Sequence, residues 1–458
     1  MDAMFKRVLI ANRGEIALRA IHACKEMGIE TVAVYSKADS ESLHVRYADH
    51  AVCIGQGKVS SSYLYTYNIF AVADSYKVDA IYPGTGFFSE NAVFAKLCKN
   101  YGFTFIGAES EKLGLLTSKI LAKRAAMEVG MPVVRATKDE VTDAAQCRAA
   151  AEDIGFPVLI KAIDGGGGKG IRIVGGPEEI ESAFESCREE AKRYFKSSKV
   201  FVEKFVADAR HVEVQILADQ HGNVIHLMDR DCTMQRRNQK LIEEGVCPFV
   251  PMEVKERMYA DSIRLIRHIG YTGAATVEFL VDRDMNYYFM EVNPRVQVEH
   301  PVTEQISGVD IVKEQLRIAA GEPLSRTESV TAPMGHALEC RINAEDMSSN
   351  FMCSTGQIRR CSFPTGGGIR IESHISEGFR VTPFYDSMLA KIITFAPTRE
   401  EAIRKMLIAL DETEIEGVKT NIGLQRELLQ TEEFVTGSST THFVTDYISN
   451  WTPQAAKE

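Results

Sequence analysis

The sequence predicts a three-domain protein whose N-terminal domain has an α/β fold. Its 458 residues exceed what a single hydrophobic core accommodates, because cores stop growing at about 250–300 residues. A chain of this length usually forms roughly three domains. At the N-terminus, apolar segments of strand length alternate with amphipathic helical segments. The pattern then changes to closely spaced strands and, later, to short strands and turns.

The N-terminal region alternates between predicted strands and helices. Strands are predicted at "RVLIAN", "TVAVYS", "AVCIG", "DAIYPG" and "FTFIG". Helices are predicted from Gly14 to Gly28 and through "YNIFAVADSY" and "AVFAKLCKNYG". This alternation favours a mostly parallel sheet with helices on both faces. The turn after the first strand, "NRGE", lacks a GxGxxG motif, so a nicotinamide cofactor is not expected.

The pattern changes twice further along the chain. A helix is predicted from about Thr117 to Val129, and two strands around a glycine run and a charged helix follow it. Closely spaced strands then extend to "YYFMEVN". From Pro333 the segments are shorter, with a helix near 400–410. We therefore place the domains at 1–116, 117–331 and 332–448, with a mobile lid at about 134–206.

Composition and charge exclude several classes of protein. Lys and Arg total 53 against 63 Asp and Glu, a net charge of -10, so nucleic acid, which is bound through clustered positive charge, is not an expected partner. The N-terminus lacks the apolar region of a signal peptide, and no run approaches the roughly 18 apolar residues of a membrane span. The cysteines show no zinc-site spacing. These features predict a cytoplasmic protein that has reduced thiols and no membrane partner.

A glycine run, "DGGGGKG" at 164–170, is a candidate phosphate-binding loop. Glycine lets the backbone approach a ligand and direct N–H groups at it, so the predicted contacts are Gly166, Gly167 and Gly168. The run is not a Walker A loop, because Gly follows its lysine where Ser or Thr is required. A flexible hairpin is the alternative. Lys161, on the strand that enters the loop, is the better candidate for a fixed phosphate contact.

Two carboxylates are predicted to face each other across a β-hairpin. The segment "TVEFLVDRDMNYYFMEV" has its turn near Asp284, and a symmetric register pairs Glu278 with Glu291. Their Cβ atoms would lie about 5 Å apart, where like charges destabilise a sheet. Mg²⁺ would neutralise them, since it is held by one or two carboxylates together with substrate phosphates, and Asn293 shares the face of Glu291. The alternative is a pair of exposed acids on an outer face.

Two further stretches are dense in functional groups. The segment "EVNPRVQVEHPVTE" carries Arg295, whose guanidinium is suited to a bidentate grip on a small planar oxyanion. It also carries Glu299, a candidate general base. The second stretch, "RDCTMQRRNQKLIEE", runs from Arg230 to Glu244. If this second stretch is taken alone, a solvated charged loop explains its composition equally well.

Taken together, these motifs resemble those of the biotin carboxylase family of ATP-grasp enzymes. They occur in family order over almost the whole chain and are "FKRVLIANRGEIA", "PGTGFFSEN", "KAIDGGGGKGIR", "RHVEVQ", "RDCTMQRRNQK", "EVNPRVQVEHPVTE", "GHALECRINAED" and "GVKTNI". The resemblance implies a protein of α/β and α+β class. Its parts would be an N-terminal Rossmann-like pre-ATP-grasp domain, an ATP-grasp domain with a mobile lid, and a C-terminal biotin-carboxylase domain.

The resemblance implies a ligase that uses ATP, Mg²⁺ (or Mn²⁺) and bicarbonate. In that family ATP phosphorylates bicarbonate to carboxyphosphate, and a ureido nitrogen of carrier-bound biotin captures the CO₂ that is released. Phosphoryl transfer requires a metal and lysines around the γ-phosphate. Carboxyphosphate is easily hydrolysed, so it requires a closed, dry site.

The resemblance also implies a role for each matching residue. Lysines would contact the ATP phosphates, and the segment after the lid would frame the adenine and ribose. The residues expected to contact the nucleotide are Lys119, Lys161, Glu203, Lys204, Val206, His211, Gln235 and Asn238. The expected metal ligands are Glu278 and Glu291, with Asn293 beside them.

The remaining implied roles concern bicarbonate and biotin. The residues expected to seat bicarbonate are Arg295, Gln297 and Val298, with Lys240 between it and the γ-phosphate. Glu299 is expected to deprotonate bicarbonate, and Arg341 to stabilise the biotin enolate.

Some positions depart from the pattern of that family. Tyr82 and Thr85 stand where a His and an aromatic residue are usual, and Asn238 stands where His is common. The change at Thr85 affects a packing contact on the biotin side, and the change at Asn238 affects a ribose or phosphate contact. Lys119 follows Thr-Ser instead of Gly-Asp, and its expected role is unchanged.

The resemblance further implies partners. We expect a separate biotin carboxyl carrier protein and carboxyltransferase subunits, because the chain shows neither the biotin-carrying hairpin nor a carboxyltransferase domain. The resemblance also implies a homodimer, since members of the family are often dimers. The expected parent complex is the acetyl-CoA carboxylase of bacterial fatty-acid synthesis. Pyruvate and other acyl-CoA carboxylases are alternatives, as are an ATP-grasp ligase with a different nucleophile and a non-catalytic nucleotide-binding paralogue.

Overall fold

The N-terminal region folds around a parallel sheet. The computed structural model describes residues 4–163 and 170–449 of the chain. The strands of the sheet are β1 (Arg7–Ile10), β2 (Glu30–Ser36), β3 (His50–Gly55), β4 (Ala80–Tyr82) and β5 (Thr104–Phe105). The helices are α1 (Gly14–Glu26), α2 (Leu43–Tyr47), α3 (Thr66–Ser75), α4 (Ala92–Asn100) and α5 (Ser110–Thr117). The strand order is β3-β2-β1-β4-β5, and every pair is parallel.

Both faces of this sheet are buried. Val8 and Ile10 of β1 join one core with Ile16 of α1, whereas Leu9 between them joins a second core with Phe94 of α4. Successive side chains of a strand point to opposite faces, so a strand buried on both sides is apolar throughout. This burial explains the run "RVLIAN", and the predicted α/β architecture with helices on both faces is confirmed.

A smaller antiparallel sheet forms a separate unit after α6 (Lys119–Glu128). Its elements are α7 (Ala144–Ile154), β6 (Val158–Ala162), β7 (Ile171–Val174), α8 (Ile180–Phe195) and β8 (Val200–Lys204). The strand order is β7-β6-β8, and Phe184 packs with Val158 and Ile160 in a core of their own. The predicted contacts Gly166, Gly167 and Gly168, in the run between β6 and β7, lie outside the described residues.

An eight-stranded antiparallel sheet is the centre of the molecule. The elements of the central region, after the three-stranded unit, are β9 (Arg210–Ala218), β10 (Val224–Arg236), β11 (Gln239–Gly245), α9 (Met252–Ile269), β12 (Gly273–Val281), β13 (Tyr287–Asn293), α10 (His300–Ser307) and α11 (Ile311–Ala319).

The C-terminal region consists of short strands and helices together with three strands that extend the large sheet. Its strands are β14 (His336–Asn343), β15 (Glu345–Asp346), β16 (Met352–Cys353), β17 (Gly356–Gln357), β18 (Arg360–Ser362), β19 (Ile369–Ser373), β20 (Arg380–Val381), β21 (Met388–Ala396) and β22 (Glu414–Glu416). Its helices are α12 (Arg399–Glu412), α13 (Ile422–Leu428), α14 (Glu432–Thr436) and α15 (Phe443–Ser449).

The large sheet crosses the boundary that we place near residue 332. Its order is β13-β12-β9-β10-β11-β14-β21-β19, and β11 pairs with β14 so that Ile242 lies opposite Cys340. Strands from the central and C-terminal regions therefore share one hydrogen-bonded surface. Side chains from both regions can meet on its face.

The charged stretch "RDCTMQRRNQKLIEE" is a buried hairpin, and its alternative interpretation as a solvated loop is wrong. Residues 230–236 belong to β10 and are buried, and β11 continues after a two-residue turn. The turn residues Arg237 and Asn238 have φ of 51° and 63°. Two positive φ values suit a tight hairpin turn, and Asn tolerates this conformation better than most residues.

Helix α9 was not identified from the sequence. It has 18 residues and buries Val254, Met258, Leu265 and Ile266 along one side, a spacing that helical periodicity predicts. It packs against β9 and β10. Among the helices of the described residues, none is both long enough and apolar enough to cross a membrane.

We predict that Phe279→Ala destabilises the central sheet. Phe279 lies on β12 and is fully buried, and truncation of a buried Phe costs about 3–5 kcal/mol. Urea denaturation followed by circular dichroism should show a lower midpoint. Tyr67→Ala, which alters a side chain that is 75% exposed, is the control, and an equal loss in both variants would contradict the prediction.

Candidate active site

Glu278 and Glu291 lie directly opposite each other on β12 and β13. The predicted register holds here and at the pair Thr276–Asn293, whereas a shift after Glu278 makes the rest of the hairpin asymmetric. Burial raises the pKa of Glu291, although the Lys119 ammonium 3.9 Å away opposes this rise. Two facing carboxylates with an amide beside them form the oxygen donor set that Mg²⁺ prefers. The residues present therefore fit a magnesium ion.

The Glu278 carboxylate is surrounded by donors. His211 Nε2 lies 3.0 Å from one oxygen, and the other oxygen accepts hydrogen bonds from Asn293 at 2.8 Å and Gln297 at 3.3 Å. Lys240 Nζ lies 3.2 Å away. Burial would raise the pKa of Glu278, but Lys240 and His211 outweigh burial and lower it. This carboxylate is therefore ionised in the free protein.

Lys240 bridges three buried carboxylates. Its ammonium donates to Glu213 and Glu299, both at 2.6 Å, and to Glu278. Burial disfavours the charged lysine, but the neighbouring Cys232 and the three glutamates hold its pKa well above the ordinary value. Lys240 therefore places one fixed positive charge at the centre of the cluster.

Arg341 reaches the same cluster from β14. Its guanidinium donates to Glu299 Oε2 at 2.8 Å and to Glu243 Oε1 at 2.6 Å. Burial would raise the pKa of Glu299, but Lys240 and Arg341 hold it well below its usual range. Glu299 is thus an ionised carboxylate between two cations.

Arg295 is held by residues from the N-terminal region. Its Nε donates to Glu90 at 2.6 Å, and its Nη1 donates to the Thr85 hydroxyl at 3.2 Å and to Gln297 at 2.8 Å. Its Nη2 donates to Asn293 at 3.2 Å. The family departure at Thr85 thus places a hydroxyl against this guanidinium.

A second cluster lies where the lid meets α6. Glu203 of β8 forms hydrogen-bonded ion pairs with both Lys123 and Lys161. Burial would raise the pKa of Glu203, but the two lysines outweigh it and lower the pKa to about 2. The Lys204 ammonium donates to two lid carbonyls at 2.9 Å, and Val206 is half-buried after β8.

Three other predicted residues differ in their surroundings. Gln235 is buried, with its Nε2 3.5 Å from Nδ1 of His211, so these two lie together beside Glu278. Asn238 is exposed in the turn between β10 and β11. The Val298 carbonyl accepts a hydrogen bond at 2.7 Å from the buried Lys391.

Sequence reasoning assigned no role to three charged residues of these clusters. Glu213 lies two residues after His211 on β9 and therefore on the same face of the strand. Strand alternation could thus have placed Glu213 beside the predicted site. Lys123 lies one helical turn after Lys119 on α6, so helical spacing was a usable signal. Glu243 stood within the charged stretch but carried no signal of its own.

Three family models match successive parts of the chain. Residues 4–113 match "Biotin carboxylase, N-terminal domain", residues 118–327 match "Carbamoyl-phosphate synthase L chain, ATP binding domain", and residues 339–446 match "Biotin carboxylase C-terminal domain". The central match, the carboxylate cluster on the large sheet and the lysine cluster between α6 and the lid define an ATP-grasp enzyme.

Curated relatives agree over almost the full length. Biotin carboxylase 1 of Bacillus subtilis is 46% identical over 97% of this chain and 99% of its own. The biotin carboxylase of Haemophilus influenzae is 47% identical over 96% of this chain and 98% of its own. A pyruvate carboxylase subunit of Methanothermobacter thermautotrophicus is 44% identical over 97% of this chain and 90% of its own. The chain belongs to the biotin carboxylase family and is an ATP-dependent ligase.

Solved structures show the same architecture. A biotin carboxylase from Campylobacter jejuni, in complex with a β,γ-ATP compound, has a TM-score of 0.94 at 41% identity, with 96% and 99% of the two chains covered. The biotin carboxylase domain dimer of Hydrogenobacter thermophilus 2-oxoglutarate carboxylase has a TM-score of 0.95 at 43% identity, with 98% and 100% covered. That dimer is bound to MgADP, ADP and bicarbonate.

We predict that Glu203→Gln destabilises the protein at neutral pH, because it leaves Lys123 and Lys161 without their shared partner. The folded-state pKa of Glu203, about 2, lies below the ordinary value of 4.5. The carboxylate therefore stabilises the fold above pH 4.5 and loses this effect as the pH falls toward 2.

Urea denaturation at several pH values tests this prediction. The difference between wild type and Glu203→Gln should be largest at neutral pH and should shrink on acidification below 4.5. Glu400→Gln, at a side chain that is 86% exposed, is the matched control. A difference that is independent of pH would show that Glu203 contributes packing and not charge.

Proposed function

We propose that this protein carboxylates biotin on a separate biotin carboxyl carrier protein, with bicarbonate and ATP, through carboxyphosphate. The observation that carries the proposal is the position of Glu299, whose two oxygens accept hydrogen bonds from Lys240 and Arg341. An ionised carboxylate between two cations is placed to take a proton from one substrate while the cations hold anionic groups. An ATP-grasp ligase with another nucleophile has no need of Arg341 there.

The ATP phosphates would lie along the lysines at the junction of α6 and the lid. Lys119, Lys161 and the glycine run would contact them, and the three-stranded lid at about 134–206 would close over them. In the free protein Lys161 is paired with Glu203, so its charge is already oriented. Glu203, Lys204 and Val206 would then frame the adenine.

The remaining nucleotide contacts lie beside the metal acids. His211 and Gln235, which are neighbours beside Glu278, would approach the ribose, with Asn238 at the edge of the nucleotide. Glu278, Glu291 and Asn293 would hold Mg²⁺ (or Mn²⁺). The ion supplies charge neutralisation at the phosphoryl group that is transferred.

Bicarbonate would bind between Arg295 and Lys240. The planar guanidinium of Arg295 matches a planar oxyanion, and Gln297 and the backbone of Val298 complete the seat. Glu299 would take the bicarbonate proton, which frees an oxygen to attack the γ-phosphate while Lys240 stabilises the charge that develops.

Biotin would bind on the Arg341 side of Glu299. Loss of the ureido proton places negative charge on the biotin oxygen, and the Arg341 guanidinium would stabilise it. The Arg341 guanidinium is half-buried and is held by Glu243 and Glu299, so little reorganisation is needed when this charge forms. Cleavage of carboxyphosphate would release CO₂ and phosphate, and the phosphate would accept the ureido proton. The deprotonated nitrogen would then attack CO₂ to form the new C–N bond.

The parent complex that we propose is acetyl-CoA carboxylase, with separate carboxyltransferase subunits and a homodimeric biotin carboxylase. Several curated relatives are named biotin carboxylase, and a related domain is a dimer. Pyruvate carboxylase is the second candidate, because the pyruvate carboxylase subunit of Methanothermobacter thermautotrophicus is 44% identical. The carrier and the carboxyltransferase subunits that co-purify with this protein from its source organism, assayed with acetyl-CoA and with pyruvate as acceptors, distinguish the two.

We predict ATP hydrolysis that requires Mg²⁺ and bicarbonate and increases with free biotin. Glu299→Gln should lower this turnover by about 10²- to 10⁴-fold, since it removes the general base. Phosphate release, measured with each component omitted in turn, tests this, and Glu400→Gln is the control. Turnover that is independent of bicarbonate and biotin would favour another ATP-grasp ligase. Nucleotide binding without turnover would favour a non-catalytic paralogue.

We also predict that Arg341→Gln separates the two half-reactions. Biotin-dependent turnover should fall by about 10²- to 10³-fold, because a charge-stabilising donor is lost. The slow bicarbonate-dependent hydrolysis without biotin should change much less. Arg360→Gln, at a side chain that is 58% exposed in the same region, is the control. Equal losses with and without biotin would contradict the role of Arg341.

A further inference from the structure

Two buried carboxylates face each other behind Arg341. Glu243 of β11 and Glu339 of β14 are direct partners in an antiparallel pair, and both side chains are fully buried. Directly opposed residues on antiparallel strands have Cβ atoms about 5 Å apart and point to the same face. Glu243 and Glu339 therefore share one water-excluded position on the large sheet.

The hydrogen bonds of this pair are incomplete. One oxygen of Glu243 accepts from Arg341 at 2.6 Å. Among the described residues, neither the other oxygen of Glu243 nor either oxygen of Glu339 has a hydrogen-bond partner. A buried ionised carboxylate without donors is strongly destabilising. The pair therefore lacks the donors that two carboxylates would require.

The cations nearest to the pair already have other partners. Arg341 is shared between Glu243 and Glu299, and Lys391 lies 3.1 Å from Glu15 and donates to the Val298 carbonyl. The charged groups that act on the pair from its own and neighbouring elements are Arg341, Lys391, Lys240 and Glu299. Glu372 and His300 act on Lys391. His300 is fully buried beside Lys391, and burial and this charge keep its pKa well below the ordinary value.

We propose that Glu243 and Glu339 form a proton-sharing pair that positions Arg341. One proton between the two carboxyl groups satisfies an orphan oxygen and leaves a single negative charge for the guanidinium. Burial raises the pKa of Glu243 to about 7 and that of Glu339 well above its ordinary value. Both shifts favour a proton that stays on the pair. Glu243 is then a positioning residue, because it acts on the substrate only through Arg341.

This arrangement matters for the proposed carboxylation of biotin, on which its functional part rests. Two negative charges behind Arg341 would oppose the negative charge that develops on the biotin oxygen. Retention of one proton removes half of that opposition while the Glu243–Arg341 hydrogen bond keeps the guanidinium oriented. The pair would therefore affect the biotin half-reaction more than bicarbonate activation, which Arg341 influences only through its hydrogen bond to Glu299.

Infrared difference spectroscopy of the full chain tests the shared proton without any turnover. The wild type should show a protonated carboxyl C=O band that shifts in D₂O. Glu339→Gln should abolish this band, because the remaining Glu243 is paired with Arg341. Glu243→Gln should move the band to a higher frequency, because the buried Glu339 keeps the proton but loses its carboxylate partner. An unmoved band in Glu243→Gln would overturn sharing, and retention of the band in Glu339→Gln would overturn the pair. Circular dichroism verifies that each variant is folded.

Kinetics test the positioning role. Glu243→Gln should lower biotin-dependent turnover by about 10- to 100-fold, as expected for loss of a hydrogen bond to a charged group, and should lower bicarbonate-dependent hydrolysis without biotin by a smaller factor. Glu243→Asp, which keeps the charge, should recover part of the loss. Equal losses in both assays, or no recovery with Asp, would overturn positioning. A wild type without bicarbonate-dependent turnover would instead contradict the proposed function and leave the infrared result standing.

Discussion

The structure depends on the compensation of carboxylates that are buried in the eight-stranded sheet. Glu213, Glu278 and Glu299 are each at most 3% exposed, and a buried charge is tolerated only with an opposite charge and hydrogen bonds around it. Lys240 contacts all three, while the fully buried Arg230 donates to Glu213, Gln215, Thr276 and Thr303. The cluster is stable only as a complete network.

The same constraint joins the three regions of the chain. Arg341, from the C-terminal region, completes the partners of Glu299, and Glu90, from the N-terminal region, pairs with Arg295. Lys391 of β21 pairs with Glu15 of α1 and donates to the Val298 carbonyl. Cations that already have internal carboxylate partners are oriented before any anionic substrate arrives, which is the property that electrostatic catalysis requires.

Much of the fold and part of the site follow from local patterns. Strand and helix periodicity predicted the N-terminal sheet, because each of its elements buries its own apolar face. The pairing of Glu278 with Glu291 followed from hairpin symmetry, since a short turn sets the register of adjacent strands. The motif resemblance indicated the family that the comparisons confirm. Helix α9 and the burial of "RDCTMQR" were missed, although the periodicity of α9 is present in the sequence.

The sequence by itself determined the family, the alternation of strands and helices in the N-terminal region and the chemistry of the candidate groups. Only the tertiary structure decided which groups meet. Thr85 and Arg295, which are in contact, are 210 residues apart in the sequence, and Arg341 and Glu299 are 42 residues apart. Glu243 lies opposite Glu339 because β11 pairs with β14. No local periodicity encodes such contacts, because they arise when distant strands join one sheet and their buried charges must find partners within it.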